Sequence, residues 1–251
     1  MYANYPSLLD RPVLVTGGAT GIGATLVAQF ALQGSRVAFV DVDERSSERL
    51  VNSLAGCRHV PLFSRSDVTD LQALEATFKT LAQQVGPFRV LVNNAANDVR
   101  HAFGDVTPSA WDQSVAVNLR HQFFAAQYVA NGMKPTGGAI INFGSISWML
   151  KMNNLAAYAT SKAAVQGLTR SLARELGPWK IRVNTLVPGW TMTEKQLREH
   201  VTPESRKEIS KGQCLDCPLE PEHVARVVLF LASDDSEMCT GQDFIVDGGW
   251  V

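Results

Sequence analysis

A short apolar, β-branched run, Val13 to Thr16, leads into Thr16-Gly17-Gly18-Ala19-Thr20-Gly21-Ile22-Gly23, after which apolar residues recur at helical spacing from Ile22 to Gln33. This junction of strand, glycine turn and helix restricts the chain more than any other feature. Glycines let a backbone turn tightly and approach a ligand closely. The free N–H groups and positive dipole at the new helix's start attract an anion such as a pyrophosphate. A merely flexible turn is the plain alternative, but the placement between a first strand and a first helix favours a dinucleotide cradle built on Gly17, Thr20, Gly21 and Ile22.

The same alternation continues along the chain. Strands are expected at Arg36 to Val40, His59 to Ser64, Val90 to Asn93, Ala139 to Phe143, Arg182 to Leu186 and Asp243 to Val246. Helices are expected at Ser46 to Ala55, Leu71 to Val85, Ser109 to Met133, Tyr158 to Leu176 and His223 to Ala232. Between Pro188 and Pro218 the periodicity blurs into a polar insertion. Repeated βα units predict an α/β fold: a doubly wound, parallel, seven-stranded sheet covered by helices on both faces. With 251 residues and 45% apolar content, one domain spanning 1–251 can bury its own core.

In open α/β sheets ligands gather beyond the carboxyl ends of the strands. Asp41 ends the second strand, eighteen residues after Gly23, close to the roughly 20-residue offset at which an acid holds the adenosine ribose. Its charge would repel a 2′-phosphate, which favours NAD over NADP, although Asp43, Glu44 and Arg45 crowd the same turn. Asp67 with Val68 after the third strand, and Asn93 with Ala95 at the end of the fourth, are further candidates beside the adenosine; Asp and Asn are also ordinary turn formers.

Tyr158 and Lys162 stand at i and i+4 on one helical face. An ammonium beside a phenol of reference pKa about 10 would favour the phenolate, a base able to take a proton from a hydroxyl. Alone, such a pair fits any amphipathic helix. Ser145, at the end of the fifth strand, adds a hydroxyl able to orient a substrate oxygen.

Together, Thr16-Gly17-x-x-x-Gly21-Ile22-Gly23, Asn93-Asn94-Ala95-Ala96, Asn118, Ser145, Tyr158-x-x-x-Lys162 and Pro188-Gly189 closely resemble the short-chain dehydrogenase/reductase family over nearly the whole chain. The resemblance implies a Rossmann fold and a catalytic set of Asn118, Ser145, Tyr158 and Lys162. Tyr158 would be the acid/base and Ser145 would bind the reacting oxygen. Lys162 would hold the nicotinamide ribose and lower the phenol's pKa, and Asn118 would anchor a proton-relaying water. Pro188, Gly189, Thr191 and Thr193 would meet the nicotinamide carboxamide. The family usually has glycine where Ala96 stands. The resemblance also implies a homotetramer, with the helices at Ser109 to Met133 and Tyr158 to Leu176 pairing between subunits.

The stretches Asn93 to His101, Asn118 to His121, Asn142 to Trp148 and the tail around Cys239-Thr240-Gly241 resemble a narrower group, the bacterial aldose 1-dehydrogenases acting on sugars such as xylose, arabinose or galactose. The resemblance implies oxidation at the anomeric carbon to a lactone. A sugar site needs hydrogen-bonding groups and an aromatic face, and Asn97, Ser147, Trp148, Asn154 and Trp190 are candidates beside Ser145 and Tyr158. For both tryptophans, loop packing is as good a reading as sugar stacking. Arg100, His101, Arg120 and His121 read as satisfied polar or interface residues. The segment from about 190 to 218 is a candidate substrate lid. A net charge of -1 argues against a nucleic-acid footprint, and no run approaches about 18 apolar residues or resembles a secretory leader. Four scattered cysteines suit a reducing cytoplasm, and Cys214-x-x-Cys217 lacks the partners of a metal site, so none is expected. The readings left open are an oxidoreductase for another alcohol or ketone, such as a polyol or 3-oxoacyl thioester, and a non-catalytic dinucleotide sensor.

Overall fold

Seven strands pair side by side in parallel: β1 (Pro12–Thr16), β2 (Arg36–Asp41), β3 (Leu62–Arg65), β4 (Val90–Asn93), β5 (Gly138–Phe143), β6 (Ile181–Pro188) and β7 (Asp243–Val246). Their spatial order is β3-β2-β1-β4-β5-β6-β7. The chain turns back on itself beside β1, and the crevice beyond β1 and β4 is where a doubly wound sheet accepts ligands. The structure, a computed structural model, describes residues 3–251; Met1 and Tyr2, part of the amino terminus read above as lacking a leader, lie outside the described residues.

Alternation along each strand feeds two cores. Val13, Val15, Val90, Val92 and Ile141 face α1 (Gly21–Leu32) and α9 (Pro221–Ala232), which contribute Leu26, Phe30, Val224 and Val228. Leu14, Leu91 and Ile140 face α3 (Leu71–Val85), α5 (His121–Met133) and α6 (Ala156–Leu176). On α3 the stripe Leu74, Phe78, Leu81 and Val85 is buried at helical spacing, each side chain contributing about 1.5–3 kcal/mol. No helix among the described residues is long and apolar enough to cross a membrane.

Many boundaries move by a residue or two, and four departures from the sequence reading have a local reason. The third strand starts at Leu62 because Pro61 has no N–H for the ladder, and His59 instead meets Asp10 at 2.6 Å. Helix α2 (Glu44–Ser53) begins earlier than Ser46 because Asp43 caps it, accepting from the Ser46 N–H. The expected helix from Ser109 to Met133 is divided: α4 (Pro108–Val115) passes through a π-helical turn, Ala116–Arg120, before α5. The insertion is not featureless either. It folds into α7 (Glu194–Glu199), capped by Thr193, and α8 (Pro203–Gly212), whose cap Thr202 and Ser205 exchange bonds in a capping box.

Candidate active site

A cleft of about 830 Å³ opens beyond the carboxyl ends of the strands. At one end the loop after β1 is held by close packing. Gly17 has a φ of +68°, and a Cβ there would come 2.7 Å from the Ala95 Cα; a Cβ on Gly23 would overlap the Gly17 carbonyl oxygen. Asn94 fastens the turn by donating from Nδ2 to the carbonyls of Thr16 (3.2 Å) and Gly17 (2.7 Å). Whereas α2, α3 and α4 are capped by Asp43, Asp70 and Thr107, the Thr20 side chain makes no capping bond. The first-turn N–H groups of α1 are therefore left to the cleft at Gly21 and Ile22, a setting suited to a phosphate.

Asp41, at the end of β2, is fixed by the N–H groups of Ala19 (2.9 Å to Oδ2) and Asp43 (3.0 Å to Oδ1). Its carboxylate lines the same cleft, as do Asp67, Val68 and Ala95. Asp67 accepts from the backbone and hydroxyl of Thr69 on one oxygen, both at 2.8 Å. Arg49 lines this end too, and the sequence reading did not single it out. A tight glycine loop, an uncapped helix start and a carboxylate at the end of β2 form a donor and acceptor set of the kind suited to an adenine dinucleotide.

The other end of the cleft collects hydroxyls. Ser145 follows β5 and caps the short turn Ile146–Trp148, its Oγ accepting from the Ser147 N–H at 3.1 Å. Tyr158, in the first turn of α6, lines the same cleft as Ser145. Lys162, one turn on, is 1% exposed and donates from Nζ to the Phe143 carbonyl at 2.8 Å. Its Nζ is 5.7 Å from the Tyr158 ring centroid. Pro188 at the end of β6 and Gly189, Trp190, Thr191 and Thr193 just after it close the cleft, with Asn97 and Ser147 also on its wall.

The electrostatics differ from the expectation that Lys162 lowers the phenol's pKa. Burial, then the charge of Asp98, push the Tyr158 phenol up, and only the Ser145 hydroxyl pulls it down. Burial likewise holds Lys162 down to about 7, with Asp98 acting upward. Burial thus favours the neutral form of both the phenol and the lysine. His121, read as a satisfied polar residue, is fully buried with neither ring nitrogen in a well-formed hydrogen bond, and burial and Lys162 hold it down to about 3.

Some candidates stand elsewhere. Asn93 is completely buried, donating to the Gln122 carbonyl (3.1 Å) and the Asn142 side chain (2.9 Å). It points into the core because successive strand residues face opposite sides, and Asn94 lines the cleft in its place. Asn118 sits in the π turn, also buried, and binds the Asn97 backbone from both ends: Oδ1 accepts from its N–H (2.9 Å) and Nδ2 donates to its carbonyl (3.0 Å). It positions the loop after β4 rather than facing the cleft. Trp148 follows the inward Ser147 and is exposed outside the cleft. Asn154, with a φ of +59°, lines a separate cavity of about 220 Å³ that also borders Tyr158.

Sequence reasoning missed a side-chain cluster across the cleft mouth. Asp98 accepts from Lys195 Nζ (2.6 Å) and Gln196 Nε2 (2.7 Å), Gln196 Oε1 accepts from the Trp190 indole (3.0 Å), and Arg100 lies 5.7 Å from the Trp190 ring centre. The spacing Thr193-x-x-Gln196 was the available signal, since it matches a helix start. Arg100 occupies the neighbourhood of the indole face proposed for sugar stacking.

Comparisons with known proteins agree in kind. A family model described as "Enoyl-(Acyl carrier protein) reductase" matches residues 17–251. A D-xylose 1-dehydrogenase from Caulobacter vibrioides is 49% identical over 249 residues, 99% of this chain and 98% of that protein. A probable galactose dehydrogenase from Rhizobium meliloti is 47% identical over 249 residues, 98% of this chain and 97% of its own length. Among solved structures, a short-chain type dehydrogenase/reductase from Mycobacterium ulcerans superposes with a TM-score of 0.92 at 26% identity, covering 99% of this chain and 91% of that one.

Proposed function

This chain belongs to the short-chain dehydrogenase/reductase family and is an oxidoreductase, and from that premise we propose that it oxidises an aldose at the anomeric carbon to the lactone, using NAD. One observation carries the reading: Ser145, Tyr158 and Lys162 line a single cleft together with the glycine loop and Asp41. The near full-length likeness to a D-xylose 1-dehydrogenase supports a sugar substrate.

When bound, NAD supplies a hydride acceptor at nicotinamide C4 and a positive ring charge. The protein does the rest. The first-turn N–H groups of α1 bind the pyrophosphate, and Asp41 accepts from the adenosine ribose hydroxyls while repelling a 2′-phosphate. Lys162 holds the nicotinamide ribose with the hydrogens not given to Phe143, and Pro188, Gly189, Thr191 and Thr193 contact the carboxamide. Ser145 would donate to the reacting oxygen, and Tyr158 would accept the proton of the substrate hydroxyl. Because burial and Asp98 raise the phenol's pKa, its base form depends on positive charge brought into the cleft. Asn118 holds the Asn97 loop in register with Tyr158. The segment from 190 to 218 acts as a lid fastened through Lys195 and Gln196.

A homotetramer in the cytoplasm completes the proposal; exposed Trp111 on α4 and Phe123 on α5 support pairing through those helices. Because this chemistry needs no Lewis acid, a chelator should leave the rate unchanged. Initial rates on an aldose panel, with NAD and NADP compared and the product tested for lactone, examine the whole reading. Lactone formation with NAD preferred supports it; a polyol or ketone handled in place of every aldose would replace the substrate class, and preference for NADP would remove the role given to Asp41.

A further inference from the structure

Asp98 has a position that cofactor binding and proton transfer leave unexplained. It lies on the cleft wall, in the loop after β4, and its side chain is only 21% exposed. Each carboxylate oxygen has one firm partner: Lys195 at 2.6 Å on Oδ1 and Gln196 at 2.7 Å on Oδ2. Burial pushes its pKa up, but the bonds and charge of Lys195 and the bond from Gln196 outweigh that and hold it below the usual carboxylate range. An ionised carboxylate only accepts, and it offers about four lone-pair sites; Lys195 and Gln196 take two and its own backbone N–H is a further partner, so capacity is left for a donor arriving in the cleft. It lines the same cleft as Ser145, Tyr158 and Lys162, and its charge acts upward on the pKa of both Tyr158 and Lys162. Since that charge opposes phenolate formation, it works against Tyr158 as a base unless it serves the substrate.

We propose that Asp98 is the specificity-determining residue of the substrate end of the cleft, where its carboxylate, clamped by Lys195 and Gln196, accepts a hydrogen bond from the hydroxyl on the carbon next to the reacting one. This rests on the aldose reading given above. In a cyclic aldose the anomeric carbon has two ring neighbours, an oxygen and C2, so the hydroxyl concerned is that on C2. A donor there also neutralises part of the charge that holds the phenol protonated, so the correct substrate eases its own deprotonation. Simple ketones and acyl thioesters present no such donor and leave a desolvated carboxylate unanswered, which disfavours them.

The test compares wild type, Asp98→Asn and Lys195→Met on the aldose the wild type turns over best and on its 2-deoxy counterpart, with NAD saturating. A hydrogen bond to a charged group is worth roughly 10- to 100-fold. Asp98→Asn is expected to lower kcat/KM on the full aldose by about that factor, mainly through KM, and to lose less than about 3-fold on the 2-deoxy sugar, with the KM for NAD unchanged. Lys195→Met, which loosens the clamp but keeps the acceptor, is expected to weaken both sugars by a similar, smaller factor. Equal losses on both sugars for Asp98→Asn, matching those of Lys195→Met, would make Asp98 a lid fastener only and overturn the inference; no loss at all would do the same. A wild type inactive on every aldose would instead overturn the sugar reading, and it is seen before any variant is compared.

Discussion

Replacing Lys162 by methionine should stop turnover and yet make the ligand-free protein more stable. The ammonium is 1% exposed, with one carbonyl bond at 2.8 Å, and burial lowers its pKa from 10.5 to about 7. At 1.36 kcal/mol per pKa unit, holding the charge in the folded protein costs on the order of 4 kcal/mol at pH 7. Hydrophobic replacements of buried charges gain about 1–4 kcal/mol, so Lys162→Met should be about 2–4 kcal/mol more stable at pH 7. The sign of the pH dependence follows from the lowered folded pKa. Between about 7 and 10.5 the unfolded chain binds more protons than the folded one, so the wild type gains stability as pH rises and the variant lacks that gain. The gap should shrink by about 3 kcal/mol between pH 7 and pH 9.5. Urea unfolding of both proteins at the two pH values measures it, and contributions from other groups cancel in the difference. A variant less stable at pH 7, or a gap that does not move with pH, would refute the reasoning. The predicted trade of stability for function is one that active sites commonly show.

Asp41→Ala should cut the preference for NAD over NADP by roughly 10-fold or more, the worth of a charged hydrogen bond, with Arg49 at hand for a 2′-phosphate; an unchanged ratio of kcat/KM values would remove Asp41 from the ribose. Gly23→Ala forces its Cβ onto the Gly17 carbonyl that Asn94 also uses, so it should cost about 1–3 kcal/mol in stability and weaken NAD binding by calorimetry. A fully stable, NAD-binding variant would show that the loop is less constrained than its packing implies.

What could be read from sequence was whatever is written in neighbouring residues. The cradle at Gly17 to Gly23, the acid at Asp41 and the pair Tyr158 and Lys162 are local patterns, and they lie where the pattern put them. Features made by tertiary meetings were not legible. Asp98 meets Lys195 across 97 positions, and nothing near Asp98 announces it. The π turn around Asn118 leaves a continuous apolar helical pattern intact, so the division of the helix has no sequence mark. Asn93 and Asn94 differ by one step of a strand's two-residue period, which decides core against cleft. The two helices after β6, α7 and α8, carried their caps, Thr193 and Thr202-Pro203, but their low apolar content hid the periodicity.

The central claim is that the Tyr158 oxygen exchanges the proton of the reaction. Stopped-flow and steady-state reduction of NAD by an aldose substrate, for wild type and Tyr158→Phe alongside a direct NAD binding isotherm, addresses it most directly. The account predicts a loss of at least about 100-fold in turnover with NAD affinity unchanged. A phenylalanine variant that reduces NAD at an ordinary rate would contradict it.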